Sequence, residues 1–202
     1  DPQTLHTVHA RHDADQYALN AWTIGEHSGT HVGAPCHRVP DGQSLGHVAV
    51  DDLVLPLRMI SASGPVSVSD IEHNETEQGQ IESGCCVALH IGWASRWPDP
   101  DLVFERGPTG EFLWPGFTVE AVDWLHQERC VTALATDAPD LGPGSDTNLA
   151  AGLRCAELGM LHIENLANLN QMPSGGGYLI IGALPLVGGT GSPARVLGLL
   201  SQ

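Results

Sequence analysis

The second half of the chain predicts an α/β fold, because strand-like and helix-like segments alternate there. The run CVTALAT (130–136) has the length and apolar character of a buried strand, and a helical pattern precedes it. A second helix from about 148 to 158 and a short strand over 161–164 follow. Such alternation is typical of α/β proteins. In a chain of 202 residues we expect one α/β domain over 21–202, after an N-terminal arm over 1–20.

The N-terminal arm carries His6, His9 and His12 but few apolar positions. We expect it to wrap a partner subunit or to be loosely ordered, in preference to forming a metal site from these histidines. Three elements come before the alternating segment: a strand region over 50–60, a short polar helix over 70–79 and a buried strand over 85–93.

The helix that precedes the strand at 130–136 has the clearest pattern. Thr118 can act as its N-cap, and apolar residues recur at helical spacing from Val119 to Leu125. Asp137 comes directly after the strand, at the kind of position where α/β proteins place their sites. Its side chain is therefore a candidate for binding, with loop capping as the equally weighted alternative.

The C-terminal part predicts two further apolar strands, over 178–187 and 194–200, separated by the glycine-rich GGTGSP. The GGTG run lacks the Lys-Ser/Thr of a phosphate-binding loop, and no helical pattern follows it. A tight turn is the better interpretation.

Charge and cysteine content limit the classes of partner. Eight Lys and Arg stand against 24 Asp and Glu, a net charge of -16, which disfavours nucleic acids and anionic membranes. The longest apolar run, 178–187, is broken by Gly182 and Pro185 and is too short for a bilayer-spanning helix. Five cysteines without a repeated spacing indicate free thiols and a cytoplasmic protein. The expected partner is a small-molecule substrate.

The stretch EHSGTHVGAPCHRVPDG (26–42) concentrates three histidines, His27, His31 and His37. Its glycines and prolines exclude a helix, but on a turning backbone neutral imidazoles can converge on one divalent ion. His37 lies beyond a proline and can act instead as a general base. The neighbouring Cys36 is a possible nucleophile, although a buried thiol is the default interpretation.

The motif HSGTHVGAPCH resembles the signature His-x-Gly-Thr-His-x-Asp-Ala-Pro-x-His of the cyclase family that includes bacterial kynurenine formamidase and isatin hydrolase. Further segments match in the same order: IGWASRW (91–97), PGFTVEAVDWL (115–125), ATDAP (135–139), IENLANLNQMP (163–173) and GGTGSPARVLGLL (188–200). The resemblance implies a swivelling β/β/α fold, a homodimer, and one or two zinc or manganese ions that activate water to open an amide or a lactam.

The resemblance also implies roles for individual residues. His27 and His31 would bind the first ion together with the motif's aspartate, which would also bridge to a second ion. A later histidine and Glu164 would complete the second ion, and His37 would be the acid/base group.

Two of these ligand positions are glycines in this chain. Gly33 stands at the aspartate position and Gly152 at the position of the second-site histidine, while Arg38 replaces the usual phenylalanine after the motif. We therefore expect no metal and no cofactor. If an ion is bound, His27, His31 and Glu164 would hold it, and His162 is a possible substitute ligand because a strand points His162 and Glu164 to one face.

The first functional hypothesis is a metal-independent enzyme that catalyses ring closure, elimination or rearrangement in the tailoring of a polyketide-like natural product. His37 would move a proton while His27, His31 and Glu164 orient the substrate. Residues expected to contact the substrate are Cys36, Arg38, Trp93, Asp137 and the two glycines that enlarge the cavity, Gly33 and Gly152.

Two alternatives remain. One is a zinc- or manganese-dependent amidohydrolase that recruits a replacement ligand from His162, Asp137, Asp140 or a partner subunit. The other is a non-catalytic binding protein on the same fold, which is weaker because the chain keeps all three motif histidines and Glu164.

Overall fold

An eight-stranded mixed sheet forms the centre of the fold in the computed structural model, which describes residues 2–200. The strand order is β10-β8-β4-β5-β6-β7-β3-β9, and the four central strands β4 to β7 run parallel. The strands are β1 Leu5–Ala10, β2 Leu19–Thr23, β3 His31–Gly33, β4 Val54–Ser61, β5 Cys86–His90, β6 Ala133–Thr136, β7 Leu161–Glu164, β8 Gly177–Gly182, β9 Gly191–Pro193 and β10 Arg195–Leu200.

Three helices, α2 Val68–Gln78, α4 Val119–Arg129 and α5 Ala150–Glu157, pack on one face of this sheet. Two further short helices are α1 His12–Asp15 and α3 Pro100–Val103. Apolar residues of α2, α4 and α5 share one core cluster with β5 and β6 side chains such as Leu89 and Leu134. Thr118 accepts a hydrogen bond from the Ala121 amide, which confirms the predicted cap of α4. Across residues 2–200 no helix has the length and apolar character needed to cross a membrane.

The other face of the sheet packs against loops and short 3₁₀ segments in a second core cluster. Leu161 and Ile163 of β7 belong to that cluster. Because side chains alternate along a strand, His162 and Glu164 point to the opposite, helix-covered face. The strand predicted over 161–164 is confirmed, and its alternation gives the two polar residues one common face.

Two C-terminal expectations need correction. The predicted strand over 178–187 ends at Gly182, because the exposed segment that follows contains Pro185. The chain turns through Gly188 and Gly189, as expected, but Gly191–Pro193 then forms β9 and pairs with β3. A strand of three residues carries no periodic pattern, so the sequence alone did not indicate it.

The N-terminal segment forms a separate two-stranded antiparallel sheet, β1 with β2. Its residues are exposed except for Ala10. The His6 ring stacks on Trp22 with the ring centroids 4.3 Å apart. The sheet continues to Thr23, three residues beyond the predicted end of the arm, and the division into arm and domain stays a prediction.

Candidate functional site

Antiparallel pairing of β3 with β7 brings the two halves of the predicted site together. His31 lies opposite Glu164, and Gly33 lies opposite His162. Directly opposed residues of antiparallel strands project to the same face, so all four positions meet on the helix-covered side of the sheet. The side chains of His31, His162 and Glu164 are all buried there.

The imidazole of His162 occupies the space of a side chain at position 33. A Cβ atom added to Gly33 would lie 2.0 Å from both Cε1 and Nε2 of His162, far inside van der Waals contact. A side chain at 33 and the present position of His162 therefore exclude each other. The side chain that this chain lacks at 33 is replaced in space by an imidazole from the neighbouring strand.

His27, His31 and His162 form a three-histidine cluster. One ligand nitrogen from each lies within 4.8 Å of the other two, close enough for the three to share a divalent ion. His37 lies beside this cluster, with its ring centroid 3.7 Å from that of His27 and 5.9 Å from that of His162. The structure thus brings together all three motif histidines and the suggested substitute.

Hydrogen bonds fix the tautomers of two of these rings. The Thr190 hydroxyl donates to the Glu26 carboxylate, so its oxygen accepts from Nε2–H of His27 at 3.0 Å. Nδ1 of His27 is buried and has no hydrogen-bond partner within residues 2–200. Nδ1–H of His31 donates to the Gly29 carbonyl at 2.9 Å, which leaves the lone pair on Nε2. In both rings one nitrogen is tied to an outer partner and the other keeps its lone pair, which is the usual arrangement of metal-binding histidines.

Burial keeps the cluster neutral. Burial, with contributions from His37, His31 and Arg38, lowers the pKa of His27 to about 3. Burial also lowers the pKa of His31 in spite of its bond to Gly29, and lowers those of His37 and His162. Neutral imidazoles present lone pairs, which is the form that binds a metal. The donor set, its tautomers and its unpartnered buried nitrogens therefore fit zinc or manganese.

Glu164 is a buried carboxyl group beside the cluster. Burial, reinforced by Asp140, holds the pKa of its carboxyl well above the usual range. Its oxygens lie 3.3 Å from Nε2 of His31 and 3.9 Å from Nε2 of His162. Because burial favours the uncharged form of both partners, we interpret the contact with His31 as a hydrogen bond between neutral groups rather than an ion pair. Such a carboxyl can hold a proton or give it up.

Gly152, the second glycine at a position where the resemblance implies a ligand, lies on α5 against a guanidinium. A Cβ at Gly152 would lie 3.5 Å from Nε of Arg38 and 3.6 Å from both Nη2 of Arg38 and Oδ2 of Asp140, which are ordinary contact distances. Nη2 of Arg38 donates to Oδ2 of Asp140 at 3.2 Å. Asp140 in turn accepts from the Gly142 amide at 2.8 Å.

Three other predicted site residues have structural contacts. Asp137 accepts hydrogen bonds from the backbone amides of Ile91 and Ala94, at 2.9 and 3.4 Å, and so caps the loop after β5. The Trp93 indole donates to the Val103 carbonyl at 3.0 Å and packs in a separate aromatic cluster. The Cys36 thiol faces the Gly189 carbonyl at 3.5 Å, and burial raises its pKa.

Sequence reasoning missed Glu26 and Thr190, the pair that orients His27. Glu26 directly precedes the motif, and Thr190 lies in the GGTG run that was interpreted only as a turn. The two are 164 positions apart in the chain. The polar threonine within the glycine run was the one available signal.

Comparison with known proteins identifies relatives over nearly the whole chain. A family model described as a putative cyclase matches residues 2–143. Isatin hydrolase from Roseibium aggregatum is 31% identical, over 94% of this chain and 78% of the relative. Kynurenine formamidase from Salinibacter ruber is 27% identical, over 98% of this chain and 88% of the relative.

A solved structure supports the same relationship. Isatin hydrolase A from Labrenzia aggregata, bound to benzyl benzoate, superposes with a TM-score of 0.90 at 25% identity. The superposition covers 99% of this chain and 84% of the other. The resemblance inferred from the motifs and the expected α/β fold are both confirmed. By sequence and by fold, the chain belongs to the putative cyclase family and is related to kynurenine formamidase and isatin hydrolase.

Proposed function

We propose that the protein is a metal-dependent hydrolase that opens an amide or a lactam, with one divalent ion held by His27, His31 and His162. The observation that carries this proposal is the position of the His162 ring, which occupies the space of the missing side chain at 33. With His162 included, the chain again offers three ligands, the number that catalytic zinc sites generally use.

This proposal departs from the metal-free function that the glycines suggested. Counting ligands along the motif alone leaves two histidines, too few for a firm site. The three-dimensional arrangement gives three histidines. Two of them, His27 and His31, have a hydrogen-bond partner outside the cluster. A divalent ion bound there would supply Lewis-acid polarisation of the substrate carbonyl.

His37 would accept a proton and Glu164 would donate one during hydrolysis. Burial lowers the pKa of His37, so its ring is neutral near pH 7 and can accept a proton from the attacking water. Burial raises the pKa of Glu164, so its carboxyl can donate a proton to the departing nitrogen. The two groups flank the cluster from the 3₁₀ turn 35–37 and from β7, which gives one proton acceptor and one proton donor.

Glu164 also supports the metal-free alternative. Its carboxyl, whose pKa burial raises, lies 3.3 Å from the His31 imidazole, and such an acid and base in contact can transfer a proton during ring closure or elimination. The polyketide-like substrate, the homodimer and the cytoplasmic location stay predictions from the sequence.

Metal analysis combined with chelation separates the two functions. The purified full-length chain is loaded with Zn²⁺ or Mn²⁺, desalted, and assayed with isatin and an N-formylanilide. We expect about one tightly held ion per chain. Chelation should abolish hydrolysis, and the same ion should restore it.

The histidines of the arm provide the control. A variant with His6, His9 and His12 all changed to Gln should keep the single ion and its activity. A chelated protein that turns over at the original rate without metal would overturn the proposal and favour the metal-free alternative.

A further inference from the structure

The Arg38 guanidinium is only partly satisfied by the protein. Its Nη2 pairs with Asp140, but Nε is buried and has no acceptor within the described chain, residues 2–200. About 20% of its side chain remains exposed. By contrast, Arg58 donates to three backbone carbonyls and Arg129 forms a two-point pair with Glu75.

A buried charged donor without an acceptor is unfavourable, and in a site it indicates a ligand. The chain has 24 acidic residues and only eight basic ones, so a cation retained beside the cluster stands out electrostatically. A guanidinium presents a planar fork of donors, which matches the two oxygens of a carboxylate.

The surroundings hold this fork in place. Asp140 is itself fixed by the Gly142 amide and anchors Nη2 of the guanidinium, while Nε has no acceptor among residues 2–200. Gly152 packs directly against this group, since a Cβ at that position would lie 3.5 Å from Nε of Arg38. Arg38 also directly follows His37, the proposed base.

We propose that Arg38 is a specificity-determining residue that binds a carboxylate of the substrate or the product. This inference rests on the proposed hydrolase function. In that reaction water adds across the C–N bond: a C–O bond forms, the C–N bond breaks and the nitrogen takes a proton. The acid that is released ionises to a carboxylate. Arg38 would hold that group, or a carboxylate already present on the substrate.

Binding of benzoate tests the carboxylate site without requiring activity. Calorimetry with the metal-free full chain should give benzoate binding that is weaker by about 10- to 100-fold in Arg38→Gln, the factor expected for a lost charge-assisted pair. Benzamide, the neutral isostere, should bind both proteins alike. Arg38→Lys, which keeps the charge but loses the fork, should fall between them.

A substrate pair distinguishes the two sources of carboxylate. If Arg38 binds a substrate carboxylate, Arg38→Gln should raise the KM of N-formylanthranilate but not that of formanilide. If it binds only the product, both KM values stay and product inhibition weakens. Arg129→Gln, which breaks an arginine–carboxylate pair between α4 and α2, is the matched control and should change none of these values.

The proposal fails if wild type and Arg38→Gln, both folded by their melting curves, bind benzoate equally or if neither binds it. It fails independently of the hydrolase proposal, because the ion content of Arg38→Gln should equal that of wild type. A chain that binds benzoate through Arg38 but holds no metal would instead overturn only the hydrolase function.

Discussion

Gly33 and Gly152 both stand where the family pattern has a metal ligand, yet their neighbours fill the space in opposite ways. At Gly33 the space is taken by another potential ligand, the His162 imidazole. At Gly152 it is taken by a cation, the Arg38 guanidinium, which a metal ion would repel. If the proposed function holds, one ion site is rebuilt with a different ligand, whereas the other is replaced by a charged group of the protein itself.

Removal of the His162 imidazole, the proposed replacement ligand at Gly33, should have the largest effect. His162→Ala should weaken zinc binding by at least about 100-fold, since loss of an outer-shell partner alone costs 10- to 100-fold. Chelator competition measures this affinity. The matched control is His73→Gln, which removes an exposed imidazole on α2 and should leave the affinity unchanged.

A double variant sharpens that test. In Gly33→Asp/His162→Ala the carboxylate returns and the imidazole that blocked it is gone. We expect zinc affinity within about tenfold of wild type. If His162→Ala binds zinc as wild type does, the imidazole is not a ligand.

Alanine substitution of the two glycines separates a position where the space of a Cβ is occupied from one where a Cβ fits at contact distance. Gly33→Ala should lower the free energy of unfolding by about 1–3 kcal/mol, because its Cβ would lie 2.0 Å from the His162 ring. Gly152→Ala should raise it by about 0.5–1 kcal/mol, because alanine favours the helix and its Cβ meets ordinary contacts. Urea unfolding of the two variants measures both values, and equal effects would refute the contrast.

The next largest effect on zinc affinity should come from the hydrogen bonds that orient the three histidines. Thr190→Val removes the hydroxyl that links Glu26 to His27 while keeping the side-chain volume. We expect zinc affinity to fall about tenfold with little change in melting temperature. Thr132→Val, which alters a hydroxyl that donates only to backbone carbonyls at the start of β6, serves as the control.

The smallest expected effect is that of pH on metal binding. Three imidazoles with an ordinary pKa of about 6.5 would bind roughly 50-fold more weakly at pH 6.0 than at pH 7.5, because protons compete with the ion. Burial lowers the pKa of His27 to about 3 and lowers those of His31 and His162. These rings are therefore less protonated at pH 6 than free imidazoles, and the loss measured by calorimetry should be well below about 50-fold.

The sequence predicted local features well and missed the contacts between distant segments. The Thr118 cap, the strand over 161–164 and the histidine motif depend on neighbouring residues, and the structure has each of them. The replacement at Gly33 depends on the register of β3 against β7, whose residues are about 130 positions apart. No periodic pattern encodes that register.

The same limit explains the other differences. Arg38 reaches Asp140, 102 positions later, so its role beside Gly152 was not visible from the motif. Arg38 was expected to contact the substrate, but its ion pair with Asp140 was not predicted. Asp137 ends a buried strand as predicted, and its carboxylate caps a loop, which was the alternative interpretation.

A crystal structure of the zinc-loaded protein, with anomalous scattering at the zinc edge, tests the central claim most directly. We predict one anomalous peak, about 2.0–2.1 Å from a nitrogen of each of His27, His31 and His162, and an Arg38–Asp140 pair that remains closed. A peak that leaves His162 unbound, or a second peak beside Asp140, would contradict the claim.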